Sequence, residues 1–566
     1  MKIHFFLLIF IVLIALAPAA SAETKTSVTQ GSEIEGPFLG QSIEGASFDG
    51  DVRKLPARKL PMDARERPRP LPPPAQDFGS QPQTISHDPV RQTWTGSLGM
   101  PAPIQNFNGL ERIVTQGNWP PDTNGDVGPN HYIQFAQSTI AIYSKTGTQL
   151  ARFLLNDLFS GTGTPCDDYT ANDGVVLYDH LADRWVLTAL TWNWDTIDNG
   201  PYYECIAVSK TANPVSGGWW LYGLRTDDDS HKYFNDYPKL GVWSDGYYMS
   251  ANLFDLSNSA NNWQFMGVRV WALDRASMFN GTLREVHFDL PCATPCYFAL
   301  FPSNLRGTPP PAGSPNFFVS VDTQNTFRIW KFHADWTTPA NSTFAGPTNL
   351  TIANFVRPCY SPHTRVCVPE LGGEWLDALG DFLMMQLQYR NIGGIESLWA
   401  NHTVADNSGL GNPTGIRWYE IRNPNGAPVV YQQGTYQPDS NYRWTGSLAV
   451  DRQGNMALGY NVSNATMYPA IRYSGRRVTD PPGILTQGET TLVAGTGAQT
   501  GGNNRWGDYS AMTVDPVDDC TFWYTNQYYA TTGDNWQTRI GSFKFPGCGP
   551  WPAPTHWLYL PIIIRN

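Results

Sequence analysis

Charge is scarce in this chain, and basic charge is scarcer still. Only 15% of the 566 residues are Asp, Glu, Lys or Arg, and 38 basic residues face 49 acidic ones, for a formal net charge of −11. Nucleic-acid binding needs Lys and Arg clustered against phosphates, so that partner class is set aside. Familiar catalytic signatures are missing too: there is no GxSxG elbow, no HExxH, no P-loop and no GxGxxG opening a helix. Beyond the N-terminus no apolar run reaches the ~20 residues that a membrane-spanning helix needs. No CxxC pair occurs, which disfavours zinc at Cys292/Cys296 and Cys359/Cys367.

Turn formers and aromatics are plentiful. The chain holds 52 Gly and 45 Pro, and 13% of it is Phe, Trp or Tyr. That mix suits many short strands joined by turns. Residues 1–22 read as an export signal: Lys2 supplies the positive start, Phe5 to Ala17 the apolar stretch and Ala20-Ser21-Ala22 the small-residue cleavage site. A single-span anchor is the alternative. Export to a secreted or surface location makes the eight cysteines disulfide partners. Closeness in the chain suggests Cys166–Cys205, Cys292–Cys296, Cys359–Cys367 and Cys520–Cys548.

Residues 23–109 read as a Pro- and Arg-rich linker or removable pro-segment. Arg67-Pro68-Arg69-Pro70-Leu71-Pro72-Pro73-Pro74 favours an extended, hydrated chain. Residues 549–566 read as a Pro-rich apolar tail, with a closing strand as the other use for Trp557 to Asn566. Between them, residues 110–548 repeat a hairpin. Arg505 to Asn526 is its clearest copy: a strand over Ser510 to Val514, a turn at Asp515-Pro516-Val517-Asp518-Asp519, and an aromatic strand at Phe522 to Thr525. Related hairpins start near Asp122, Asp173, Asp236, Phe298, Asp381 and Thr445. A second repeat, apolar-Arg-apolar-aromatic, recurs at Val268 to Trp271, Phe327 to Trp330 and Ile416 to Tyr419, and its Arg is expected on a sheet face. Units of this length predict an all-β fold, a single β-propeller of seven blades, with six as the runner-up. Neighbouring blades would cover the face that a lone sheet leaves bare.

The segments PPDTNGDVGPNHY, NDYPKLGVWSDGYYM, LGDFLMMQLQYRN and RWGDYSAMTVDPVDDCTFWYTN resemble those of a group of large, secreted, largely uncharacterised bacterial proteins expected to be propellers. The resemblance implies fold and export and transfers no catalytic residue.

Function candidates come from recurrent acids. Asp173, Asp236, Asp381 and Asp508 each sit at or near the head of a first strand, and such heads gather at one mouth of a propeller's central channel. A ring of acids can hold sugar hydroxyls, bind a cation or place two carboxylates for acid–base work, while turn-forming Asp is the plainer alternative. Asp236, Asp508, Asp381 and Tyr237 are the catalytic candidates, with Tyr509 as a further proton donor or stacking partner. Asp122, Asn124 and Asp126 alternate as in a calcium loop, although the EF-hand Gly and Glu are replaced by Val127 and Ile133. His131, His231 and His402 are candidate bases. Glu374-Trp375 is a candidate sugar platform and Asp227 to Asp229 a candidate cation loop. The expectation is a monomeric propeller that binds an extracellular glycan or protein. The alternative is a polysaccharide hydrolase or lyase using the channel acids.

Overall fold

The computed structural model describes residues 34–58 and 88–549, except 170, 194–195, 197–198, 229–231, 258–262, 294–295, 324, 360–364, 381 and 406–411. The proposed signal, the Pro-rich stretch at 67–74, Asp229, His231, Asp381 and residues 550–566 lie outside the described residues. The repeated hairpins form where the turn chemistry predicts them. Ala511–Val514 turns back into Thr521–Tyr528 with Val514 opposite Phe522. The turn holds because the Asp515 and Asp518 carboxylates accept backbone N–H bonds from Val517, Cys520 and Thr521.

Each hairpin opens an antiparallel sheet. The innermost strands are Asn124–Val127, Ala171–Asp179, Tyr233–Val242, Phe301–Leu305, Met384–Ile392, Tyr442–Val450 and Ala511–Val514. Each packs beside the next, and the last packs beside the first, so among the described residues the seven units close a ring. The fold is a β-propeller. We number its blades 1 to 7 in the order of those strands.

An inner strand has sheet on one side only, so its other backbone edge needs partners. Polar side chains of neighbouring blades supply them. Asn124 Oδ1 accepts from Val176 N at 2.8 Å, Asn304 Oδ1 from Val242 N at 3.1 Å, Gln388 Oε1 from Val450 N at 2.6 Å and Ser447 Oγ from Met512 N at 2.9 Å. The Arg residues of the second repeat are buried ties. Arg269 makes a bidentate pair with Asp289 at 2.6 and 2.7 Å, and Arg417 reaches Asp88 at 2.8 Å.

The stretch expected to be a loose linker is in large part a belt around the ring. Glu35–Leu39 adds to the outer edge of blade 3 and Ala46–Phe48 to that of blade 2. Arg91–Gln92 and Leu98–Gly99 add in parallel to blades 5 and 6. Gln105–Glu111 is the fourth strand of blade 7, so that blade is built from both ends of the propeller. An extended chain with few local contacts of its own is suited to this, because outer strands present unpaired N–H and C=O groups that it can satisfy. The propeller therefore begins before residue 110. All four disulfides join the pairs that chain proximity suggested. No helix of the described residues is long and apolar enough to cross a membrane.

The belt's hold on blade 5 runs through Asp88 and Arg417, both under 3% exposed. Replacing Asp88 by Ala leaves a buried guanidinium short of its counter-charge. We expect a loss of roughly 3–5 kcal/mol in urea unfolding, with the far-ultraviolet circular dichroism of the folded protein unchanged.

Candidate functional site

The chain bends sharply as it enters each inner strand. Asp122, Asp173, Tyr237, Ala299, Thr445 and Asp508 occupy this position in blades 1, 2, 3, 4, 6 and 7 with φ between 49° and 59°, and in blade 5 Leu379 (φ 46°) bends two residues before Asp381, which lies outside the described residues. The left-handed region costs a non-glycine residue about 1 kcal/mol or more, with Asp among the better tolerated. Ladder register shifts accompany the bend in blades 2, 3 and 6. Such bulges re-aim side chains. Polar groups occupy the bend in blades 6, 7, 1, 2 and 3, which are contiguous around the ring. Ala299 stands at the bend of blade 4.

The polar sector converges on a residue that sequence reading missed. Lys239 is 2% exposed. Its Nζ lies 3.3 Å from the centroid of the Tyr237 ring and 4.1 Å from that of Tyr509, and it donates to Pro238 O at 2.9 Å. Burial pushes the Lys239 amine down to about 7, against the opposing fields of Asp173, Asp236, Asp122 and Asp508. Tyr509 Oη donates to Asp173 Oδ2 at 2.8 Å, and Asp508 pairs with Arg505. Tyr237 lies edge-on to Phe382 with ring centroids 4.5 Å apart. Burial and the nearby aspartates hold both phenols well above their ordinary range. Behind this group, Glu204 accepts from Asn235 Nδ2 at 3.1 Å, and burial pushes its carboxyl up to about 8.

Asp173, Asp236, Asp508 and Tyr237 thus come together at one mouth, and Asp122 joins them. Asp122 Oδ2 accepts from Gln137 Nε2 at 2.8 Å. Asn124 and Asp126, the other proposed calcium ligands, point elsewhere. Asn124 caps Val176, while Asp126 accepts from Tyr178 N at 2.7 Å and pairs with Arg306. Among the described residues no three His, Cys, Asp or Glu side chains stand in metal-binding geometry. His402 is buried against Tyr419 Oη at 2.9 Å, and burial holds it well below its ordinary range. His131 is half-buried on a strand of blade 1. Glu374 caps Asn504 N at 3.0 Å in a clasp between loops, and leaves Trp375 exposed beside it. Asp227 is buried, pairing with Arg225 and Lys232, whereas Asp228 is exposed. Lys239 carried one weak signal: a cation inside the apolar run Pro238 to Val242.

No family model and no curated protein matches the chain. Among solved structures it is similar to a protein of unknown function from Dyadobacter fermentans, at 10% identity and a TM-score of 0.34 over 67% of this chain and 95% of that one. It is similar to the Hadza microbial sialidase Hz136 at 10% identity and a TM-score of 0.33, covering 74% and 65% of the two chains. An exo-β-1,3-galactanase from Clostridium thermocellum shares 11% identity at a TM-score of 0.29, covering 81% and 97%. At these values the likenesses carry no argument about the site.

Glu204 gives a pH prediction. Its folded-state pKa lies above the ordinary value, so its contribution is intact below about 4.5 and is lost as pH rises towards about 8. Glu204→Gln removes that loss. The variant should be more stable than the parent to urea unfolding at pH 8, by an amount on the order of 4 kcal/mol, and match it closely at pH 5.

Proposed function

We propose that this protein is an exported propeller that binds an extracellular glycan at the axial mouth. The observation carrying the reading is the convergence of Asp173, Asp236 and Asp508 with Lys239 between the rings of Tyr237 and Tyr509. Carboxylates accept from sugar hydroxyls, an amine or phenol donates to sugar oxygens, and aromatic rings cover the apolar faces of sugars. Four disulfides fit an oxidising compartment, where extracellular glycans are met.

A second reading has its own support. An amine held near 7 can both give and take a proton at neutral pH. With Asp236 or Asp508 beside it, the same mouth is equipped for acid–base cleavage of a glycosidic bond.

One experiment separates the two. The protein is offered a panel of neutral and uronic-acid polysaccharides, with and without calcium, and both bound protein and released products are recorded. Retention without release is the expected result. Release of oligosaccharides that Lys239→Met abolishes would put the second reading first. In the retention assay Asp236→Asn and Asp173→Asn should each weaken binding about tenfold. Undiminished binding by both variants would remove the mouth from the interaction.

A further inference from the structure

We infer that the mouth grips the end of a ligand chain and not its interior, with the Asp508 carboxylate and the Thr445 hydroxyl making the terminal contacts. This rests on the glycan reading above and names the part of the glycan that enters.

The first observation is that the axis is plugged. Gln386 of blade 5 accepts from Asn304 Nδ2 of blade 4 and donates through Nε2 to Met512 O of blade 7 at 2.8 Å. Asn124 Nδ2 of blade 1 donates to Met385 Sδ at 3.4 Å, and Ser447 Oγ of blade 6 donates to Met385 O at 2.8 Å. Side chains from four blades and the Met512 carbonyl of a fifth therefore meet across the axis, and all of these residues are buried. Their place follows from the strand they share with the mouth. Tyr237 Oη donates to Leu383 O at 3.5 Å. Met385 and Gln386 follow two and three residues further along the chain, on the inner strand of blade 5. The axis is thus closed below the mouth by these groups. A polymer cannot thread through it, and its interior residues cannot reach the floor without a sharp fold in the chain. A terminus can.

The second observation concerns unsatisfied polar atoms at the rim. Asp508 is 8% exposed and Thr445 fully buried. Asp508 Oδ2 is held by Arg505, whereas among the described residues Asp508 Oδ1 and Thr445 Oγ1 have no hydrogen-bond partner. Buried polar atoms are nearly always paired. These two stand at equivalent bends of adjoining blades, and Thr445 packs so closely on Gly507 that a Cβ there would lie 2.8 Å from its methyl group. A carboxylate acceptor beside a hydroxyl that can donate or accept matches two neighbouring hydroxyls of a terminal sugar.

The test compares chain ends at constant mass. Dextran, inulin, β-1,4-xylan, β-1,4-galactan and polygalacturonate are each titrated onto the protein as polymer and as short oligomers from partial acid hydrolysis, followed by tryptophan fluorescence. Per mass of sugar, the oligomers of the recognised glycan should bind more tightly in proportion to their number of ends. Thr445→Val and Asp508→Asn should each weaken that binding about tenfold or more. Equal affinity per mass for polymer and oligomer would overturn the chain-end inference while leaving the glycan reading intact. End-dependent binding that both variants retain would overturn the two contacts. Silence from every probe in both forms would overturn this inference and the reading beneath it.

Discussion

Closure of the ring is the constraint on which everything else depends. A lone four-stranded sheet leaves a face bare and an inner edge unpaired, and in this protein the neighbouring blade covers both. The closure is made with strands from the two ends of the propeller, Gln105–Glu111 beside Gln537–Lys544. Inner-edge N–H groups are met by Asn124, Asn304, Gln388 and Ser447 from adjoining blades. These caps fix how close the blades stand, and that spacing decides which side chains meet on the axis.

The same geometry gathers the residues of the mouth. A left-handed bend near each strand head re-aims one residue per blade, at a cost the closed ring supports. Where that residue is Asp or Tyr, the bend is polar. Where it is Ala299, the bend is apolar. Burial then alters the chemistry of what is gathered. An amine and a carboxyl with ordinary values far from neutrality, Lys239 and Glu204, are moved to about 7 and about 8 within one region. Desolvation leads in both cases, which is why these groups respond to the ring being folded and not to any single neighbour.

Much of this was legible in the residues. Hairpins were readable because turn chemistry is local: Asp515 to Asp519 carry their own hydrogen bonds. Disulfide partners were readable because short loops close cheaply. The acids at strand heads were readable as a set because repetition placed them at equivalent points. The belt was not readable, because its strands make no local contacts and exist only where an outer edge accepts them. Glu374 and Asp126 looked available for a ligand and are instead spent on loop and blade ties.

By itself, the sequence determined the β-rich propeller class, the repeat and its turns, and the cysteine pairs, since these follow from periodicity, turn formers and chain proximity. Only the tertiary structure decided that Lys239 sits among the acids, that Met385 and Gln386 plug the axis, and that residues 34–58 and 88–111 belong to the ring. Those outcomes depend on blades far apart in the chain being brought within hydrogen-bond distance, and no local pattern encodes a distance of that kind.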